Sequence, residues 1–141
     1  MTHSCSTTQK LRFLAPLILA LVLAFALAIT AEATASDDSA ISKATSLVAK
    51  SAKAILFVAH PTADYQDWDF KRIERTTYGN YRAFFEITYK GGFFGLTYYL
   101  EFYLELDSGL GLKRVGWGRD TGIVPPGTAA GAVLHLLNNN Q

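Results

Sequence analysis

The sequence predicts an α+β domain in which an N-terminal amphipathic helix packs on a four-stranded antiparallel meander and a short apolar helix closes the C-terminus. Three observations carry this. Apolar residues recur at intervals of three and four between Asp37 and Ala59, the spacing changes to two between Trp68 and Arg119, and the 21 residues from Thr121 to Gln141 hold no Asp, Glu, Lys or Arg.

The helix from Asp37 to Ala59 places Ile41, Ala44, Val48, Ala52, Ile55 and Ala59 on one face and Lys43, Ser46, Lys50 and Lys53 on another. Asp37 and Asp38 suit its positive N-terminal end. His60-Pro61 stops it, because the residue before a proline is pushed out of the helical region. Thr62 to Gln66 then reads as a loop, and a first strand as Trp68 to Thr77, with a bulge expected near Lys71-Arg72 where the inward set changes phase between Phe70 and Ile73.

The second and third strands form a hairpin. Tyr81, Ala83, Phe85, Ile87 and Tyr89 alternate with Arg82, Phe84, Glu86, Thr88 and Lys90; beyond Gly91-Gly92, Leu96, Tyr98, Leu100, Phe102, Leu104 and Leu106 alternate with Thr97, Tyr99, Glu101, Tyr103 and Glu105. A two-residue Gly-Gly turn would pair Ile87 with Leu96, Phe85 with Tyr98, Ala83 with Leu100 and Tyr81 with Phe102 on one face. On the other face it sets Phe84 opposite Tyr99 and Arg82 opposite Glu101. A fourth strand, Leu110 to Arg119, follows the Asp107-Ser108-Gly109 turn. A three-residue loop there would put Leu104 opposite Leu112 and Tyr99 opposite Trp117, so that Val115 and Trp117 share the outer face; a bulge at Gly111 or Gly116 would turn Trp117 inward. After Pro125-Pro126-Gly127, Thr128 is the expected N-cap of a buried helix through Leu137.

This outline resembles the cystatin-type fold in architecture over about Asp37 to Arg119. The protease-blocking hairpins of that family carry Gln-x-Val-x-Gly and Pro-Trp, whereas this chain has Tyr89-Lys90-Gly91-Gly92-Phe93-Phe94 and Asp107-Ser108-Gly109-Leu110. Inhibition of papain-type proteases is therefore not implied.

Lys10 and Arg12 precede an apolar run from Phe13 to Ile29, and Ala31-Glu32-Ala33-Thr34-Ala35 supplies small residues at two A-x-A sites. Residues 1–35 read as a signal peptide cleaved after Ala33 or Ala35, leaving 36–141 as one exported domain. The runner-up is an uncleaved anchor, with membrane contact only in that case and the domain still outside the cytoplasm. The single cysteine, Cys5, lies in this segment, and no N-x-S/T sequon follows it. A bacterial periplasmic or secreted protein fits both facts.

Charge excludes one class of partner. Of 13 Lys and Arg and 12 Asp and Glu in the chain, all but Lys10, Arg12 and Glu32 fall within 36–141, which is formally neutral. Phosphate-driven nucleic-acid binding is not expected. His135 reads as a core or interface histidine, and His60 as a residue favouring a helix end. The acidic loop of His60, Asp64, Asp67 and Asp69 matches no EF-hand spacing, and no metal or cofactor is expected. The glycines carry no phosphate-binding fingerprint.

The leading functional expectation is a non-catalytic binding or interaction module of the periplasmic inhibitor or immunity type, with a protein partner in the cell envelope. Its binding residues would be Phe84, Tyr99, Tyr103 and Trp117 with Arg82 and Glu101, framed by Glu105 and Lys113, on the outer sheet face. That face is either open or covered by the uncharged tail. The alternative is a carrier of a small hydrophobic ligand in a pocket lined by Phe85, Tyr98, Leu100 and Phe102. A small hydrolase or lyase using His60 or an acidic pair from the loop is third, and self-association through the C-terminal helix is compatible with all three.

Overall fold

The computed structural model describes residues 37–141, which run in the order helix, four strands, helix; the signal-peptide expectation lies outside the described residues. Helix α1 covers residues 37–59 and buries Ala40, Ala44, Leu47, Val48, Ala52, Ile55, Leu56 and Ala59. Ile41, expected on this face, is half-buried, while Leu47 and Leu56 join it. The His60 N–H still reaches the Leu56 carbonyl at 2.7 Å, and Pro61 ends the ladder there. Among the described residues, no helix is long and apolar enough to cross a membrane.

Strands β1 (Asp64–Arg75), β2 (Tyr81–Gly91), β3 (Leu96–Leu106) and β4 (Leu112–Asp120) form one antiparallel sheet in sequence order. β1 starts earlier than expected, taking in residues assigned above to a loop, and ends at Arg75. Its pairing with β2 jumps from Phe70↔Phe85 to Arg72↔Phe84, so Lys71 is the extra residue anticipated from the change of phase. A second irregularity falls at Gln66. The bulge at Lys71 lets Ile73 share the core face of Trp68 and Phe70, and the irregularity at Gln66 lets Tyr65 do the same.

The β2–β3 register differs from expectation. Phe85 pairs with Phe102, Ile87 with Leu100 and Tyr89 with Tyr98, each partner lying four residues further along β3. The turn is the four-residue tip Gly92-Phe93-Phe94-Gly95, and both glycines adopt left-handed backbone, with φ of 71° and 60°. Gly95 in that conformation cannot continue the ladder, so Phe93 and Phe94 are pushed out of it. In return Tyr81–Gly91 pairs along its whole length with Leu96–Leu106. The displacement is even, so every side chain keeps its predicted face.

β4 carries a bulge at Lys113 and a second irregularity between Trp117 and Asp120: Leu106 pairs with Leu112 but Glu105 with Arg114, Leu104 with Val115, Phe102 with Trp117 and Leu100 with Asp120. The expected outward placement of Val115 and Trp117 is therefore corrected. Val115 is buried on the inner face, and half-buried Trp117 packs against the core.

Helix α2 (Gly127–Asn139) begins at Gly127, and Pro126 occupies the N-cap without any side-chain cap, in place of Thr128. It buries only the stripe Ala129, Val133 and Leu137. Val133 and Leu137 join α1 and the inner sheet face in one core, so the tail does not cover the outer face. The Trp117 indole N–H donates to the Pro126 carbonyl at 3.3 Å and pins the start of the helix to β4. His135 is exposed and hydrogen-bonded to Asn139 at 3.2 Å, not a core histidine.

Candidate functional site

The outer face assembles most of the expected binding residues, but as an ion-pair lattice and not as an open aromatic platform. Phe84 is buried beneath the Arg72 guanidinium, 3.7 Å from its ring centroid, and lies 5.5 Å from the Tyr103 ring. Arg82 covers Tyr103 at 4.7 Å and donates to Glu105 at 3.0 Å, while Arg72 also reaches Glu101 at 3.5 Å. Burial alone would raise the Glu105 carboxyl, but hydrogen bonds from Asn80 and Arg82 outweigh it and hold this group below the usual carboxylate range. Tyr99 and Glu101 border a polar groove with Arg72, Glu86 and Arg119, and Trp117 is absent from this face. Cation–π and charge pairs cover the Phe84 and Tyr103 rings, while Tyr99 stays exposed.

Of the alternative pocket, Phe85, Leu100 and Phe102 are fully buried and close-packed, with Phe85 and Phe102 ring centroids 5.7 Å apart. Tyr98 alone borders a cleft.

That cleft lies at the end of the sheet where α1 stops. Its floor is a cluster that spans 60 residues of sequence. His60 comes from the end of α1, Tyr89 from β2 and Asp120 from the last position of β4. The Asp120 side chain is completely buried. Its Oδ1 accepts from the Tyr89 hydroxyl at 2.9 Å and from the Gly122 N–H at 2.7 Å, and its Oδ2 contacts His60 Nε2 at 2.7 Å. The imidazole stacks on Tyr89 at 4.9 Å, and Tyr89 on Tyr98 at 5.5 Å. Burial, then the bond to Asp120 and its negative charge, hold the Tyr89 phenol well above its ordinary value. A Cβ at position 122 would come within 2.4 Å of the Tyr89 oxygen, so glycine is required for this packing.

From the sequence His60 reads chiefly as a helix-end residue, and otherwise as a member of the acidic loop or the base of the hydrolase reading, while Asp120 is not singled out. Two signals were present: Asp120 is the last charged residue of the chain, and Asp-x-Gly at 120–122 is a turn in which a carboxylate takes the N–H two residues on. Asp64, Asp67 and Asp69 are exposed along β1, away from any arrangement of this kind. Among the described residues no group of three or more His, Cys, Asp or Glu is placed to hold a metal ion.

Above the cleft stand apolar side chains with no cover. Phe93 and Phe94 are 97% and 82% exposed and meet edge-on at 5.3 Å. Ile123 and Val124, in the link from β4 to α2, are 83% and 64% exposed, and Ile123 lines the cleft beside Gly92. No protein-family model matches the chain, and neither a curated protein nor a solved structure matches it.

Proposed function

We propose that the chain is an exported, non-catalytic binding module that meets a protein partner in the cell envelope through the apolar end of its sheet. The observation carrying this reading is the Phe93-Phe94 tip, two aromatic rings held almost wholly in water by a turn with a left-handed glycine at each end. Large aromatics are costly in that position and are the residues that dominate protein interfaces once buried. Covering each ring would contribute about 1.5–3 kcal/mol. Ile123, also exposed, lines the cleft together with Gly92, where this turn begins.

Export rests on the basic, apolar and small-residue order of residues 1–35. A binding role, as opposed to nucleophilic catalysis, is supported at the His60 cluster: the hydroxyl against the imidazole is that of Tyr89, whose proton is committed to Asp120. Self-association through α2 is less favoured, because its apolar stripe is used inside the fold.

The test is affinity capture from envelope extract with the wild-type protein and with a Phe93→Ser, Phe94→Ser variant. Neither ring belongs to the core, so the variant should keep the wild-type circular dichroism spectrum and melting temperature. A partner recovered by the wild type and lost with the folded variant supports the proposal. Equal recovery by both, or none by either, refutes it.

A further inference from the structure

We propose that the cleft beside His60 is a small-molecule site for a single flat, uncharged ring bearing one hydroxyl or N–H donor, with His60 Nδ1 as the acceptor. This inference stands on the cleft's own geometry and is independent of the protein partner proposed above.

The bonds to Asp120 decide which imidazole nitrogen is free. A buried carboxylate offers only acceptors, and the three groups around Asp120 are the Tyr89 hydroxyl, the Gly122 N–H and His60 Nε2. The 2.7 Å contact is satisfied when Nε2 carries the proton. The neutral ring then has its lone pair on Nδ1, which finds no protein partner among the described residues. Nor is Nδ1 among the buried polar atoms left without one, so it is reached by solvent, and His60 is a lining residue of the cleft. The carboxylate behind the ring makes that lone pair a better acceptor, as carboxylates do for metal-bound histidines.

The remaining walls set the shape and charge of the occupant. They are the Tyr89 and Tyr98 rings, the side chains of Thr62, Ala63 and Ile123 and the backbone at Gly91, Gly92 and Gly122, with no Lys or Arg among them. Flat aromatic walls favour a flat guest, and a site with a buried carboxylate and no cationic side chain does not favour an anion. The space is about 170 Å³. An engineered cavity of about 150 Å³ accepts benzene, so one ring fits here. The cleft is open on one side, which leaves room for a substituent.

The experiment has two parts, both on the wild-type fold. Two-bond ¹H–¹⁵N spectra of the protein, recorded where the imidazole is neutral, should show the His60 tautomer protonated at Nε2; protonation at Nδ1 overturns the proposal. Phenol and anisole, alike in size but differing in the donor, are then titrated while the amide signals of Gly91, Gly92 and Gly122 are followed. One hydrogen bond of about 1 kcal/mol corresponds to about fivefold tighter binding of phenol. Thr62→Trp, a change at an exposed residue on the cleft wall, should abolish both titrations without altering the tautomer. Equal affinities for the two probes, no response to phenol, or a response that persists in Thr62→Trp would each overturn it.

Discussion

Tyr89→Phe tests the Asp120 cluster most directly, because it removes one oxygen and leaves the ring. Tyr89 is buried, and its stacking on His60 and Tyr98 does not depend on the hydroxyl. What is lost is the 2.9 Å bond to Asp120, which keeps the Gly122 N–H and His60 as partners. A hydrogen bond to a charged group contributes about 1.5–3 kcal/mol, so a loss of about 2 kcal/mol is expected at about pH 7. The pH dependence gives the sharper check. In the unfolded chain the phenol ionises near pH 10, whereas burial and the Asp120 carboxylate keep it protonated in the fold to higher pH. Its stabilisation is therefore complete below about pH 10 and is lost as pH rises further, by about 1.4 kcal/mol per unit. Phenylalanine cannot ionise, so the gap between wild type and variant should shrink from about 2 kcal/mol at neutrality to under about 1 kcal/mol near pH 11. Urea unfolding followed by the fluorescence of Trp68 and Trp117 measures it. A gap that stays constant between the two pH values, or no gap at neutrality, would refute the assignment of a protonated, buried phenol donating to Asp120.

Other substitutions probe the rest of the fold. Phe85→Ala, at the centre of the core against Trp68, Phe70 and Phe102, should cost about 3–5 kcal/mol in denaturant unfolding. Ser51→Ala should raise stability by about 1 kcal/mol, since it removes a buried helical hydroxyl that has no hydrogen-bond partner and improves helix propensity. Glu105→Gln should destabilise by about 1 kcal/mol at neutral pH. Because the folded-state carboxyl is held below its ordinary value, that contribution is present above about pH 4.5 and disappears on acidification, so wild type and variant should converge by about pH 3 in thermal melts. Gly95→Ala should cost about 1 kcal/mol through its left-handed backbone, whereas Gly131→Ala, in α2 with open space at its Cβ, should stabilise by a similar amount.

What could be read from the sequence was what depends on local period. The alternation from Tyr81 to Leu106 assigned every side chain of β2 and β3 to its correct face, and the break between Phe70 and Ile73 located the bulge at Lys71. Register was harder, because Gly91, Gly92 and Gly95 allow several turns and an even slip leaves the faces unchanged. The slip exchanged Phe84–Tyr99 for Phe84–Tyr103 and freed Phe93 and Phe94, so the surface now proposed for binding depended on where the turn fell. Trp117 changed face for an equally small reason, one extra residue at Lys113. The Asp120 cluster was the least legible, since nothing local links a histidine at a helix end to an aspartate 60 residues later. Only the closing of the sheet around α1 brings them to 2.7 Å.

β1 is one margin of the sheet, and a sheet margin is a row of unpaired backbone groups on which a second chain can nucleate. Here the row is interrupted at Gln66 and Lys71, so an incoming straight strand would fall out of step within a few residues. Asp67, Asp69, Lys71, Arg72 and Glu74 lie exposed along it and would lose hydration on contact. Fibril growth from this side is thereby blocked by the shape and charge of a single strand. The bare phenylalanines at the tip of the β2–β3 hairpin are thereby kept apart from any sheet-edge route of self-association along β1.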